Sequence, residues 1–355
     1  MKLSVKPKSD CFFDVAALGE VMLRLDPGEG RIKTSNTFTA YEGGGEYNVA
    51  QGLAKCFGMK SAVITALADN EIGRLIERLI LADAVDTSLI KWMPYDGIGR
   101  SVRNGINFTE RGLGVRKALG VSDRANSAAS AICADDIDFD RIFGQLGVRW
   151  LHTGGIFAAL SENSLATLIA CIKKAREYGT IVSYDLNYRA SLWNQFGGEE
   201  RARQVAESIL PYVDVLIGND IEYPLCLGET LEKKCDAYAS ARVLERVNEK
   251  YPNLKLSCAI YLTSGTYTIS AVCRAEGKNT FSPELSSEQI LDRVGAGDAY
   301  AAGFIYGLIQ GESAEKSMLY GACHSMLSLT TPGDTSAASL SEVEALMRGS
   351  DSFMR

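Results

Sequence analysis

Residues 292–304 read DRVGAGDAYAAGF: two glycines and an aspartate stand directly before an apolar run. The first N–H groups of a helix lack intrahelical partners, and the helix dipole makes that end electropositive. Gly295, Ala296 and Gly297 let the backbone close on an anion, so the spacing predicts a turn that can cradle phosphate oxygens. A carboxylate would repel that anion. Asp298 therefore suits a base facing the group that attacks a phosphate, or else it complements the dipole while the glycines make a turn. Two other phosphate-binding patterns are excluded. No G-x-x-x-x-G-K-[ST] string occurs, and the dinucleotide pattern G-x-G-x-x-G fails at Tyr300.

Two further groups carry polar chemistry. Asn219 and Glu222, in NDIE, have the spacing of a helix N-cap and its capping-box partner. Asp185, Asn187 and Arg189, in YDLNYRASLW (184–193), are spaced by two, so on a strand they would share one face at its carboxyl end. A surface ion pair between Asp185 and Arg189 is the simpler alternative.

The elements that must position these groups are legible as an alternation. DVAALGE, SAVITALA, VRWLHTGG, TIVSYDLN, VDVLIGN and KLSCAIYLTSG are β-rich runs, and helical patterns such as YNVAQGLAKCFG and ENSLATLIACIKKAREYG stand between them. Alternation of this kind predicts βαβ units and a doubly wound, mostly parallel sheet flanked by helices. Ligands of such sheets sit at the carboxyl ends of the strands. Residues 24–40 and 98–122 break the rhythm: they are polar, alternating and punctuated by glycine, with a turn near Arg111–Gly114. They predict β-lid insertions that meet as a small sheet within one domain spanning 1–355.

Composition narrows the class. A chain of 355 residues with 46% apolar and 23% charged residues can bury a large core without metal or disulfides. The net charge of −7 argues against non-specific nucleic-acid or anionic-membrane binding, while leaving room for an anionic small molecule met by local arginines. Nine scattered cysteines without a C-x-x-C pair read as reduced thiols, and two histidines, His152 and His324, make a histidine-rich metal cluster improbable. The N-terminus lacks the form of a signal peptide, and the longest apolar run, Ala299–Ile309, is shorter than the roughly 18 residues of a membrane span. A cytoplasmic location is expected.

Taken together, the motifs resemble the ribokinase-like carbohydrate kinases of the PfkB family. DRVGAGDAYAAGF is similar to that family's C-terminal signature, with Tyr300 in place of the usual Phe, and GGGEYNVAQGLAKCFG is similar to its N-terminal one. NDIE matches its N-x-x-E motif, and LTSG (262–265) its strand-to-glycine nucleotide segment. The resemblance implies ATP-dependent phosphorylation of a sugar hydroxyl, with Mg²⁺. Gly295, Ala296 and Gly297 would form the anion hole and Asp298 would take the hydroxyl proton. Asn219 and Glu222 would orient phosphates and Mg²⁺, Glu222 through water and with no residue ligating the metal directly. Thr263, Ser264 and Gly265 would bind the nucleotide.

The stretch YDLNYRASLW further resembles the D-x-N-x-R-x-x-L-W motif of 2-keto-3-deoxygluconate kinases, which assigns Asp185, Asn187 and Arg189 to the sugar. DRANSAAS (123–130) resembles a second segment of those enzymes and puts Arg124 at the border of lid and substrate, with Gly44 and Asn48 on the opposite wall. Ser122 stands where those kinases commonly carry a tyrosine. The implied substrate is an acidic sugar; a fructose, ribose or nucleoside kinase and a catalytically silent sugar-binding homologue are the alternatives. A monovalent cation beside Asp292 and the TTPGD loop (330–334), and a homo-oligomer formed through the β lid, complete the expectations.

Overall fold

Parallel strands buried along most or all of their length set the architecture. The computed structural model describes residues 3–229, 237–262 and 267–349. In chain order the strands are β1 (Phe13–Leu18), β2 (Met22–Asp26), β3 (Thr39–Gly43), β4 (Ser61–Ala68), β5 (Ile90–Met93), β6 (Ile106–Glu110), β7 (Leu119–Asp123), β8 (Val148–Gly154), β9 (Ile181–Asp185), β10 (Val215–Asn219), β11 (Leu256–Leu262), β12 (Tyr267–Ala275), β13 (Lys278–Phe281) and β14 (Leu285–Ser287). The helices are α1 (Gly45–Lys55), α2 (Glu71–Ala82), α3 (Ala128–Ala131), α4 (Gly155–Ala158), α5 (Glu162–Glu177), α6 (Ala190–Trp193), α7 (Gly198–Ile209), α8 (Glu222–Leu227), α9 (Ala237–Lys250), α10 (Ala296–Ile309), α11 (Ala314–Ser328) and α12 (Leu340–Met347).

The large sheet runs β13-β12-β11-β10-β9-β8-β1-β4-β5, with β14 also on β12. Every pairing from β11 to β5 is parallel, and β12, β13 and β14 are antiparallel additions. β1, β4 and β9 are buried at every residue, as parallel strands covered on both faces must be. Alternate residues of β1 serve opposite faces: Ala16 and Leu18 join the core under α5, α7 and α9, and Val15 joins the core under α1, α10 and α11. The helices start where local chemistry directs. The Asn70 side chain accepts from Ile72 and Gly73 N–H at the head of α2, and Ser161 and Ser164 form a capping box on α5.

The small sheet, β3-β2-β6-β7, stands apart from the large one. Its strands are shifted from the stretches 24–40 and 98–122 in which the alternating pattern places them. β2 and β3 pair antiparallel at the two ends of 24–40, because the Asp26 carboxylate accepts the N–H of Gly28, whose φ of +69° turns the chain out of the strand. Residues 98–101 form a turn: the Asp96 carboxylate accepts the N–H groups of Ile98, Gly99, Arg100 and Ser101. The hairpin of β6 and β7 follows, closed by the mutual bonds of Leu113 and Arg116.

Candidate active site

The carboxyl ends of β9, β10 and β11 open into a cavity of about 630 Å³, closed on the far side by the start of α10. It gathers Asp185, Asn187, Arg189, Asn219, Glu222 and residues 295–298, which are scattered over more than a hundred positions of sequence. This is the crevice that the parallel topology dictates.

α10 begins at Gly295, whose φ is +79°. A Cβ there would be driven into the carbonyl of Asp334, so both conformation and space demand glycine. Gly297 differs. A Cβ on it meets nothing within 4 Å and would project into open space beside the cavity. The N–H groups of this first turn lie beyond the reach of any helical carbonyl. Small residues also serve packing: Gly303 and Gly307 of α10 lie against the backbone of Tyr320 and against Ser317 on α11. Tyr300 is buried, its hydroxyl 3.6 Å from Cys258 Sγ, which accommodates the exchange for Phe.

Asp298 Oδ2 accepts from Asn48 Nδ2 at 2.7 Å. Asn48 Oδ1 in turn accepts the Gly44 N–H at 3.2 Å, which fixes which end of the amide faces the aspartate. Gly45 lets α1 come this close, since a Cβ on it would lie 3.0 Å from Asn187 Nδ2 and 3.7 Å from Asp298 Oδ1. Burial raises the Asp298 carboxyl to about 7, against the opposing pull of Asn48 and Arg189. A carboxylate so placed can take a proton near neutrality.

Asn219 and Glu222 do form the reciprocal helix-start pair. Asn219 Oδ1 accepts from Ile221 and Glu222 N–H, and Glu222 Oε2 accepts the Asn219 N–H at 2.9 Å. Glu222 Oε1 takes the Tyr188 N–H at 3.1 Å, so the same carboxylate ties the end of β10 to the segment after β9. Burial pushes the Glu222 and Asp185 carboxyls up, and for Asp185 the charges of Glu222 and Asp298 add to the effect. The expectation that Asp185, Asn187 and Arg189 share a strand face is corrected. β9 stops at Asp185, whose Oδ1 accepts the Asn187 N–H, and Asn187 takes a φ of +33°. The three side chains reach one cavity through this turn, and no ion pair joins Asp185 to Arg189 among the described residues. The Arg189 guanidinium donates to the Tyr188 carbonyl and lies 4.0 Å from Glu222.

A profile of pfkB family carbohydrate kinases matches residues 13–340. The chain belongs to the pfkB family of carbohydrate kinases. It is 29% identical over 339 residues to the 2-dehydro-3-deoxygalactonokinase of Haloferax volcanii, covering 95% of this chain and 98% of that one. It is 28% identical to the 5-dehydro-2-deoxygluconokinase of Geobacillus kaustophilus, over 87% of this chain and 85% of the relative. The crystal structure of 2-dehydro-3-deoxygluconokinase from Thermotoga maritima superposes with a TM-score of 0.87 at 35% identity, covering 94% of this chain and 99% of that one. The fold is ribokinase-like, and the activity is transfer of phosphate to a sugar hydroxyl.

Among the described residues, other motif-assigned side chains of this pfkB kinase are held by partners next to the cavity. Arg124 directly follows β7 of the small sheet and is tied to the segment after β1 of the large one, its Nε and Nη2 both held by Glu20. Ser122 is exposed on β7 and donates to Asn107 across the hairpin. Asn48 meets the Asp298 carboxylate directly, with Gly44 bonded to it in turn, although neither is among the residues lining the cavity. Thr263, Ser264 and Gly265 lie outside the described residues. Two participants are absent from the motif-based set. Arg293 stands at the cavity mouth, two residues before Gly295. Glu46 is buried behind the site, its Oε1 on the Phe157 N–H, and burial together with the Asp298 charge raises it to about 7. Its place inside the glycine-rich GGGEYN string was the available signal. Both histidines are core residues: burial lowers His152 to about 3 and His324 to about 4.

Proposed function

We propose that this kinase transfers the γ-phosphoryl group of ATP to the terminal hydroxyl of an acidic keto-deoxy sugar, 2-keto-3-deoxygluconate, forming its 6-phosphate. Asp298 takes the hydroxyl proton, and the N–H groups of the 295–297 turn hold the transferring phosphoryl group. Pre-set N–H donors and a fixed carboxylate are what phosphoryl transfer needs, since positioning and charge stabilisation supply most of its catalysis. Kinases of this family use ATP and Mg²⁺. Asp185, Glu222 and Asp298 put negative charge into one crevice, yet among the described residues no three such side chains stand close enough to ligate an ion together, so the ion would be held mainly by phosphate and water. Bound there, Mg²⁺ would neutralise phosphate charge, with Glu222 facing it through water. Asn219 would face the nucleotide, and the LTSG motif assigns Thr263, Ser264 and Gly265 to its binding as well.

The observation that carries the substrate reading is Arg189, half exposed at the cavity edge next to Asp185 and Asn187. A planar guanidinium recognises a carboxylate through two parallel hydrogen bonds. Arg124, already held by Glu20, would contribute at most one remaining edge. The names of the full-length relatives are also those of kinases for acidic sugars. The Haloferax relative favours a second reading, the galactonate epimer of the same keto-deoxy acid. A coupled kinase assay with both acids, fructose and ribose separates these. We expect an acid to lead in kcat/KM by about ten- to a hundredfold, and Arg189→Leu to erase that lead while sparing the neutral sugars. Equal turnover of fructose or ribose by the wild type would defeat the acidic-substrate reading.

The same reading includes a homo-oligomer through the small sheet, whose β7 is an open edge exposed at every residue. It also includes a cytoplasmic location, which suits the free thiols of the described cysteines.

A further inference from the structure

Arg24 lies on β2 of the small sheet, yet its side chain is 1% exposed and ends in the large domain. Its Nη1 donates to Asp334 Oδ1, and its Nη2 to Asp26 Oδ2 at 2.8 Å and to Asp292 Oδ2. The guanidinium also stands 5.9 Å from the centre of the Tyr41 ring. Burial works against this charge, and the carboxylates of Asp334 and Asp292 more than offset it.

These two carboxylates frame the turn that opens α10. Asp292 Oδ1 accepts the Val294 N–H at 3.1 Å, and its Oδ2 also faces the Gly333 N–H at 3.4 Å. The carbonyl of Asp334 packs directly on Gly295. A monovalent cation bound between Asp292 and the 330–334 loop would need open oxygen ligands. Both oxygens of Asp292 and Oδ1 of Asp334 are already engaged, and a positive charge is already present.

We propose that Arg24 is a positioning residue: its guanidinium is the built-in cation that sets the shape of the 293–297 turn, and this kinase works without a monovalent cation at Asp292. The proposal rests on the reading of that turn as the phosphate cradle. Removing the guanidinium leaves buried Asp292 and Asp334 without their counter-charge, while Asp26 keeps Arg111 at 3.3 Å, so the turn relaxes, and small displacements of a phosphate cradle cost rate steeply.

Rates are measured with saturating MgATP and whichever sugar acid turns over, in K⁺, Na⁺ and tetramethylammonium chloride at equal ionic strength. Wild-type rates should agree within about twofold. Arg24→Ala should lose at least about tenfold in kcat, with a much smaller change in the sugar KM, and K⁺ or guanidinium ion should restore part of the loss. Arg24→Lys should be intermediate. Thermal melting without substrates gives an independent readout: K⁺ should raise the Tm of Arg24→Ala and leave the wild type unmoved. Several-fold K⁺ activation of the wild type overturns the proposal, and so does an Arg24→Ala enzyme with wild-type kcat. If Arg24→Ala does not fold, the wild-type cation series and Arg24→Lys decide. A failed cradle reading appears separately, as full activity in Gly297→Val with the melting results unchanged.

Discussion

Asp298 makes the most direct demands on experiment. On the proposed reading, Asp298→Asn lowers kcat by about 10²-fold or more while MgATP still binds, as loss of a general base does. Its carboxyl is raised to about 7, so wild-type kcat/KM should fall as pH drops below 7, and this acid limb should vanish in the residual activity of the variant. Stability runs the other way. The free aspartate titrates at about 3.9, so between about 4 and 7 the native chain holds a proton that the unfolded chain has released, and stability declines as pH rises through that window. Asp298→Asn should therefore melt higher than wild type at pH 8, with the two curves converging by about pH 4. A variant less stable at pH 8 would contradict burial as the cause of the shift. Gly297→Val tests the neighbouring space: a branched side chain there enters the open region beside the cavity, so MgATP turnover should fall by at least about tenfold with little change in Tm. Unchanged kinetics would mark the turn as structural only. Much of this site was readable from short motifs, because Gly295–Asp298 and Asn219–Glu222 work within one turn of chain. Glu46, Arg24 and the Glu20–Arg124 pair were not, because a buried charge shows its purpose only beside its partner. Arg24 finds Asp292 and Asp334 at separations of 268 and 310 positions.

At the scale of elements, the alternation of apolar runs and amphipathic segments identified the strands and helices because it records which faces the sheet buries. Element ends were less legible. β9 stops two residues before Asn187, and 98–101 turns instead of extending, both because an aspartate side chain takes backbone N–H groups that a strand would use. The seam between α10 and α11 gives this level its own test. A Cβ on Gly303 would lie 2.5 Å from the carbonyl oxygen of Tyr320, so Gly303→Ala must push two packed helices apart. Overpacking of this kind costs about 1–3 kcal/mol, and in a chain of this length Tm should drop by about 1–4 °C in all. Calorimetry that found no loss would mean the helices separate freely.

For the molecule as a whole, the small sheet is where assembly should register. Leu119 and Val121 are 51% and 46% exposed on the edge strand β7, an apolar row that a second copy would cover. Light scattering should give twice the monomer mass for the wild type and the monomer mass for Val121→Lys; a monomeric wild type would remove this part of the reading. The Arg24 cluster bears on how the protein is made. Arg24 leaves the ribosome first, and its Asp334 partner follows 310 positions later. At about 5–20 residues per second that interval lasts roughly 15–60 s, during which the small sheet has a cation but only part of its seat. Nascent chains stalled before residue 334 should stay open to protease at the turn that begins α10, and become resistant once that aspartate clears the exit tunnel.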